Sequence, residues 1–208
     1  MAVTIQEYVE ERGIKFLVHF TKEKNLASIL QRGLVPRDIL ALEGGVDFND
    51  AYRHDGTSAV CLSIGFPNYK MFFSLRQTNA NESWVVIGIH PSVLWTLPTA
   101  FCMSNAASAT VTAVPIAQRM GLPAFQRMYE DWGEKTRPVL GIPNSYPTNP
   151  QAEVLMLKGV PRQYILGVLA LNATVQQRLV ALHPGLDVRV NAGFFRYRQD
   201  YAHWKQVI

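Results

Sequence analysis

Apolar residues in this chain gather in short clusters, and the spacing inside each cluster predicts its element. Residues 14–20, Ile14-Lys15-Phe16-Leu17-Val18-His19-Phe20, are apolar and β-branched enough for a strand. Thr21 stands at a helix N-cap position, and Leu26, Ile29 and Leu30 follow at helical spacing. Gly33 then falls where helices end in a left-handed residue. Further strands are predicted over 60–64, 84–89, 153–157, 165–171 and 187–190. Weaker helical patterns cover 2–12, 69–76, 91–95, 125–132 and 175–182, the last with Val175, Leu179 and Leu182 inward. Two stretches have no period. Residues 38–58 mix glycines, acids and aromatics, and residues 133–152 carry prolines, glycines and asparagines at turn spacing. Segments of that length inside a compact domain are usually functional loops. Short strands that do not alternate regularly with long helices predict an α+β fold and disfavour a doubly wound parallel sheet.

Composition narrows the class. A chain of 208 residues suits one domain with a full core, so a single domain over 1–208 is expected. With 48% hydrophobic and 17% charged residues, intrinsic disorder is excluded. No apolar run approaches the roughly eighteen residues of a membrane span, and the opening MAVTIQEYVEERG lacks a secretory pattern. Cys61 and Cys102 are the only cysteines, which argues against a disulfide scaffold and fits a reducing cytoplasm. A net charge of +4 permits a nucleic-acid partner without requiring one.

Gly-rich phosphate loops, a His-Glu-x-x-His helix and a nucleophile elbow are all missing, so a metal site is not expected and no motif supports a Ser/His/Asp triad. Three places remain. In Val18-His19-Phe20-Thr21, a strand-end imidazole offers two ring nitrogens to a ligand; the plainer reading is a structural histidine and a capping threonine. In Pro150-Gln151-Ala152-Glu153-Val154-Leu155, a carboxylate enters an apolar strand from a Pro-rich loop. It is costly to bury unless paired, and is either solvated at an edge or aimed at a ribose or water. Phe66-Pro67-Asn68-Tyr69-Lys70-Met71-Phe72-Phe73 combines ring-stacking groups with Asn and Lys, and reads equally as a packed aromatic corner.

Taken together, these places resemble the DarT family, toxins that ADP-ribosylate bases in DNA. His19-Phe20-Thr21, Asn25-Leu26, Ile29 and Gly33-Leu34 are similar to the family's opening pattern. Gln151-Ala152-Glu153-Val154-Leu155 is similar to its catalytic-glutamate strand, and Tyr69 and Met71 lie where it places residues around nicotinamide. The resemblance covers roughly residues 14–170. One departure stands out. Thymine-modifying members carry an aromatic run before a Met-Leu pair, whereas here the stretch reads Phe66-Pro67-Asn68-Tyr69-Lys70-Met71-Phe72, which favours the guanine-modifying branch.

The resemblance implies an ADP-ribosyltransferase-like split β-sheet with NAD+ as co-substrate. His19, Thr21, Asn25, Asp47, Tyr69 and Met71 would contact it, with 38–58 covering the dinucleotide, and Arg53 and Glu153 would be catalytic. Trp132, Arg137, Tyr146, Asn149 and Gln151 would meet single-stranded DNA from the 133–152 loop. Lys158, Arg162, Arg189, Arg196, Arg198 and Lys205 would track its backbone, or form an ordinary solvated face. A monomer is expected, partnered by an antitoxin that removes ADP-ribose through a macrodomain or another hydrolase. The competing readings are ADP-ribosylation of RNA or protein, NAD+-dependent RNA 2'-phosphotransfer, and a nucleic-acid-binding module with a dead fold.

Overall fold

The computed structural model describes residues 2–43 and 56–205. Its strands are β1 (Leu17–Lys22), β2 (Val60–Ile64), β3 (Trp84–Ile89), β4 (Thr99–Cys102), β5 (Glu153–Met156), β6 (Ile165–Ala170) and β7 (Val188–Val190). The α-helices are α1 (Ile5–Arg12), α2 (Leu26–Arg32), α3 (Arg37–Glu43), α4 (Tyr69–Thr78), α5 (Val93–Thr96), α6 (Ala109–Thr112), α7 (Gly121–Arg127), α8 (Arg137–Leu140) and α9 (Ala173–Leu182). The strands form one sheet in the order β4-β5-β2-β1-β3-β6-β7, antiparallel except for the parallel pair β6/β7. This is the α+β class that the sequence pattern suggested, with a sheet of the kind that the resemblance implied.

Strand alternation sorts the core. Leu17, Leu62, Ile64, Val85, Ile87, Val154 and Met156 meet Tyr8 and Val9 of α1, Val93 and Leu94 of α5, and Phe125 of α7. On the opposite face Val18, Trp84 and Val86 pack on Phe72 of α4 and on Phe195. Ala100, Cys102 and Leu155 form a third cluster with Ala106 and Val111. Burial on both faces explains why β3 reads so plainly as an apolar run.

Several elements depart from the sequence reading. Thr21 is not a helix cap: β1 stays paired with β3 through Lys22, opposite Trp84, and α2 begins only after a 3-10 turn. Residues 37–43 are helical, but Ile39 and Leu42 of α3 are exposed, so this helix lacks the inward apolar stripe that makes one legible. The helix expected over 125–132 lies instead at Gly121–Arg127, with Pro123 in its first turn, where a missing N–H does no harm. The loop before Glu153 contains the short turn α8.

β1 and β2 pair only at Leu17↔Ile64 and Val18↔Ser63, whereas β1 and β3 pair over the whole of β1. Beyond Val18 the two strands part and the sheet opens. At the far end of β2 the chain turns through Gly65 and Pro67 into α4. Gly65 has φ +71°, and a Cβ there would stand 2.6 Å from the Tyr146 ring, so this turn admits only glycine comfortably.

Candidate active site

Glu153 opens β5, across from Cys102 of β4. It is 5% exposed, which excludes the solvated-edge reading. A buried carboxylate must be hydrogen-bonded. The backbone N–H of Ala106 donates to Oε2 at 2.7 Å, and Asn68 Nδ2 donates to Oε1 at 3.4 Å. Asn68 is itself fixed. It caps α4 by accepting the Met71 N–H at 3.3 Å, and its own N–H donates to Ser63 Oγ at 3.1 Å. The residue that starts the aromatic helix therefore also orients the carboxylate.

His19 occupies the opening between β1 and β2. Its Nδ1 lies 3.0 Å from the Cys61 carbonyl. A carbonyl only accepts, so Nδ1 carries the proton and Nε2 of the neutral ring is an acceptor. Burial holds the imidazole below its ordinary 6.5, although the bond to Cys61 pulls the other way. In a regular strand His19 and Phe20 would project to opposite faces. Here the two rings are nearly parallel, 6.5 Å apart at 9°, and Phe20 stacks on Phe72 at 4.5 Å. α4 thus spans both groups, its cap on Glu153 and its Phe72 on the stack that ends in His19. A neutral acceptor and a fixed carboxylate flank β2 from either side.

Ahead of β5 the 133–152 segment forms a braced wall. Arg137 donates to the carbonyls of Pro143, Asn144 and Tyr146 and to Thr148 Oγ1, and lies over the Tyr129 ring at 5.4 Å. Both terminal nitrogens of its guanidinium are thus engaged within the loop, where they fold the wall. Arg12 of α1 reaches the same loop through Asn144 Oδ1 at 2.8 Å. Arg198 is buried rather than part of a DNA-tracking surface. It pairs with Asp200 and donates to the carbonyls of Pro147 and Thr148 at 2.8 and 2.7 Å. Arg189 lies on β7 at the end of the sheet remote from β5 and pairs with Asp187, so the six basic residues do not share one face.

The other expected site residues are distributed as follows. Thr21 is buried, two residues beyond His19 on β1, and accepts from Asn25 Nδ2 at 3.1 Å. Tyr69 is 3% exposed, and its ring meets Tyr197 and Tyr201 edge-on. Burial, then the nearby Asp200, push its hydroxyl up to about 12. Tyr69 thus packs under the C-terminal segment. Met71 and Trp132 are half-buried, Tyr146 leans on Gly65 and Phe66, and Asn149 Oδ1 accepts the Gln151 N–H at 2.9 Å just ahead of β5. Asp47 and Arg53 lie outside the described residues. Among the described residues no cluster of three or more His, Cys, Asp or Glu is placed to hold a metal, and no helix is long and apolar enough to cross a membrane.

The sequence reading gave no role to Asn68, to the Ala106 N–H or to Arg119. Asn68 had a signal, since Pro-Asn ahead of a helical run marks an N-cap. A backbone donor such as Ala106 has none. Arg119 is 7% exposed, donates to Cys102 Sγ at 3.6 Å and leaves Nε without a partner, a buried cation one strand from Glu153.

Residues 18–195 match a family profile described as "ssDNA thymidine ADP-ribosyltransferase, DarT". Comparison with the sequences of curated proteins gives no match. Among solved structures the chain is similar to Thermosipho africanus DarTG in complex with ADP-ribose, with a TM-score of 0.60 and 15% identity over 87% of this chain and 51% of that one. It is similar to Thermus sp. 2.9 DarT in complex with NAD+, with a TM-score of 0.56 and 13% identity over 88% and 98% of the two chains. The same Thermus protein in complex with ADP-ribosylated ssDNA gives 0.55 and 14% over 88% and 97%. The chain therefore spans about half the length of the Thermosipho protein and nearly all of the Thermus one. At these identities the likeness establishes the fold.

Proposed function

Since the chain belongs to the DarT family of single-stranded-DNA ADP-ribosyltransferases, we propose that it transfers ADP-ribose from NAD+ to a base of single-stranded DNA, releasing nicotinamide. One observation carries this reading: the buried Glu153 carboxylate, held by Ala106 and Asn68 beside the opening that contains a neutral His19. The likeness to structures holding NAD+ and ADP-ribosylated ssDNA supports it.

In this reading His19 Nε2 accepts a hydrogen bond from a ribose hydroxyl or from the nicotinamide amide. Asn25 and Met71 contact the dinucleotide, while Thr21, buried at 2% exposure, acts through the hydrogen bond that it accepts from Asn25. When the C1'–nicotinamide bond breaks, its electrons leave with nicotinamide and positive charge develops on the ribose. Glu153 bonds a ribose hydroxyl and presents negative charge to that centre, the preorganised electrostatics that often supply the largest catalytic term. A base nitrogen attacks C1', and Glu153 takes the proton it loses. Arg53 and Asp47 keep the roles that the resemblance assigns them, as partner of the pyrophosphate or base and as part of the covering loop. A stacked duplex base cannot reach a buried carboxylate, so the acceptor is single-stranded. Trp132, Tyr146, Asn149 and Gln151 meet it along the wall.

For the accepted base we propose guanine, on the departure over Phe66–Phe72; the family description names thymidine. The protein is read as a monomeric toxin whose antitoxin removes the ADP-ribose. Incubating it with labelled NAD+ and oligonucleotides that each offer one base type tests the reading. The expected product is a single strand carrying one ADP-ribosyl group, with duplex unmodified. Label on RNA or protein alone would favour those acceptors. A 2'-phosphotransferase would have no use for the buried, hydrogen-bonded Glu153.

A further inference from the structure

Outside the opening, α4 and the C-terminal segment build a surface that the reaction leaves unused. Phe73 is 40% exposed and Tyr197 is 45% exposed. Tyr197 stacks on Tyr201 at 4.1 Å and 15°, and Phe73 meets Tyr197 at 5.7 Å. Beneath them the buried Tyr69 braces both tyrosines. The result is a ledge of open aromatic rings on a rigid base.

Cations surround it. Lys205 lies over the Tyr201 ring at 4.8 Å, Lys70 donates to the Trp204 carbonyl at 2.9 Å, Arg76 to the Phe195 carbonyl, and Arg196 is exposed. α4 contains no acid, and residues 191–205 contain only Asp200, which is buried against Arg198. The segments that build the ledge thus offer rings and positive charge with no exposed carboxylate of their own. Through Arg198 the ledge is tied to Pro147 and Thr148, a few residues ahead of Glu153.

We infer that this ledge carries the single strand on one side of the target base. Neighbouring bases stack on Tyr197 and Phe73, and their phosphates pass Arg196, Lys70 and Lys205. Rings that accept any base face, set in a basic track, are what a strand needs when it must be held without being read. The inference rests on DNA being the acceptor and adds where the strand runs.

The test measures binding of fluorescent oligonucleotides by anisotropy with the full chain, using a 20-mer and a 4-mer around the target base. Tyr197→Ala and Phe73→Ala should each weaken 20-mer binding about tenfold, the size of one lost stack. Binding of the 4-mer and nicotinamide release from NAD+ without DNA should stay unchanged. Tyr197→Trp should restore 20-mer binding, which a merely unfolded variant cannot mimic. Arg196→Gln should flatten the log–log salt dependence by about 0.7, one phosphate on a single strand. Equal 20-mer binding by wild type and both alanine variants overturns the inference. So does a variant that converts a dimer to a monomer, which would give the ledge to a second copy. The two readings fail separately: a wild type that holds the 20-mer on the ledge but modifies no base sinks the reaction alone. Unaltered DNA modification and binding in the variants sinks the ledge alone.

Discussion

Glu153, Asn68 and His19 each hold a hydrogen-bonding state that a single substitution can change without changing shape. Glu153→Gln keeps the volume and removes the charge. It should lower transfer by about 10²–10⁴ while the melting temperature stays close to wild type, as single-turnover rates and calorimetry would show. Asn68 separates two duties. Asn68→Ala loses the cap of α4, about 1 kcal/mol, together with the donor to Glu153. Asn68→Asp keeps a good cap but sets a second carboxylate against the first. Like charges raise a carboxyl pKa, so its activity should fall at a higher pH on the acid side than that of wild type. A superimposable pH profile would refute this. For His19, folding lowers the pKa below 6.5, so the unfolded chain binds the proton more readily. Stability is then full above about 6.5 and declines as pH falls toward the lower folded value. Melting temperatures at pH 7.5 and 5 should converge more closely in His19→Gln than in wild type. His19 and Glu153 were legible because an imidazole or a carboxylate stands out in an apolar strand. What holds them was not, since Ala106 acts through its backbone and Arg137 turned out to serve the wall.

β3 could be read to its ends because nearly every position is apolar and buried, and β2 because only Ser63 and the exposed Cys61 break its apolar run. α3 and α7 could not, one for want of an inward stripe and the other because Pro123 hides a helix start. Nothing local announces that β1 and β2 separate after two residue pairs, since strand spacing says which residues share a face but not where a ladder stops. The Gly65 turn is an element-scale device that the sequence marks only with a glycine and a proline. Gly65→Ala places a Cβ against Tyr146 at a left-handed φ, and should destabilise by about 1–3 kcal/mol in urea unfolding. Combined with Tyr146→Ala, which clears the space, the loss should be less than additive. Strict additivity would mean that the ring does not bear on the turn.

Across the whole molecule, the two ends of the chain converge on the wall that leads into β5: Arg12 from α1 and Arg198 from the tail. The sequence showed a basic, aromatic tail but not that one of its arginines is buried, because a guanidinium looks the same on paper whether it meets water or carbonyls. Asp200→Asn would leave Arg198 without its counter-charge. It should cost about 3–5 kcal/mol in denaturant unfolding and slow transfer as the Pro147–Thr148 segment loosens. An unchanged unfolding midpoint would remove the staple from this account. One consequence of the parted strands reaches further. The sheet is two plates, β4-β5-β2 and β1-β3-β6-β7, sewn by a seam only two residue pairs long. A molecule grasped at once by Glu153 on one plate and His19 on the other supplies the missing stitches. On the proposed function, the affinity of such a molecule then becomes tensile strength for the entire fold.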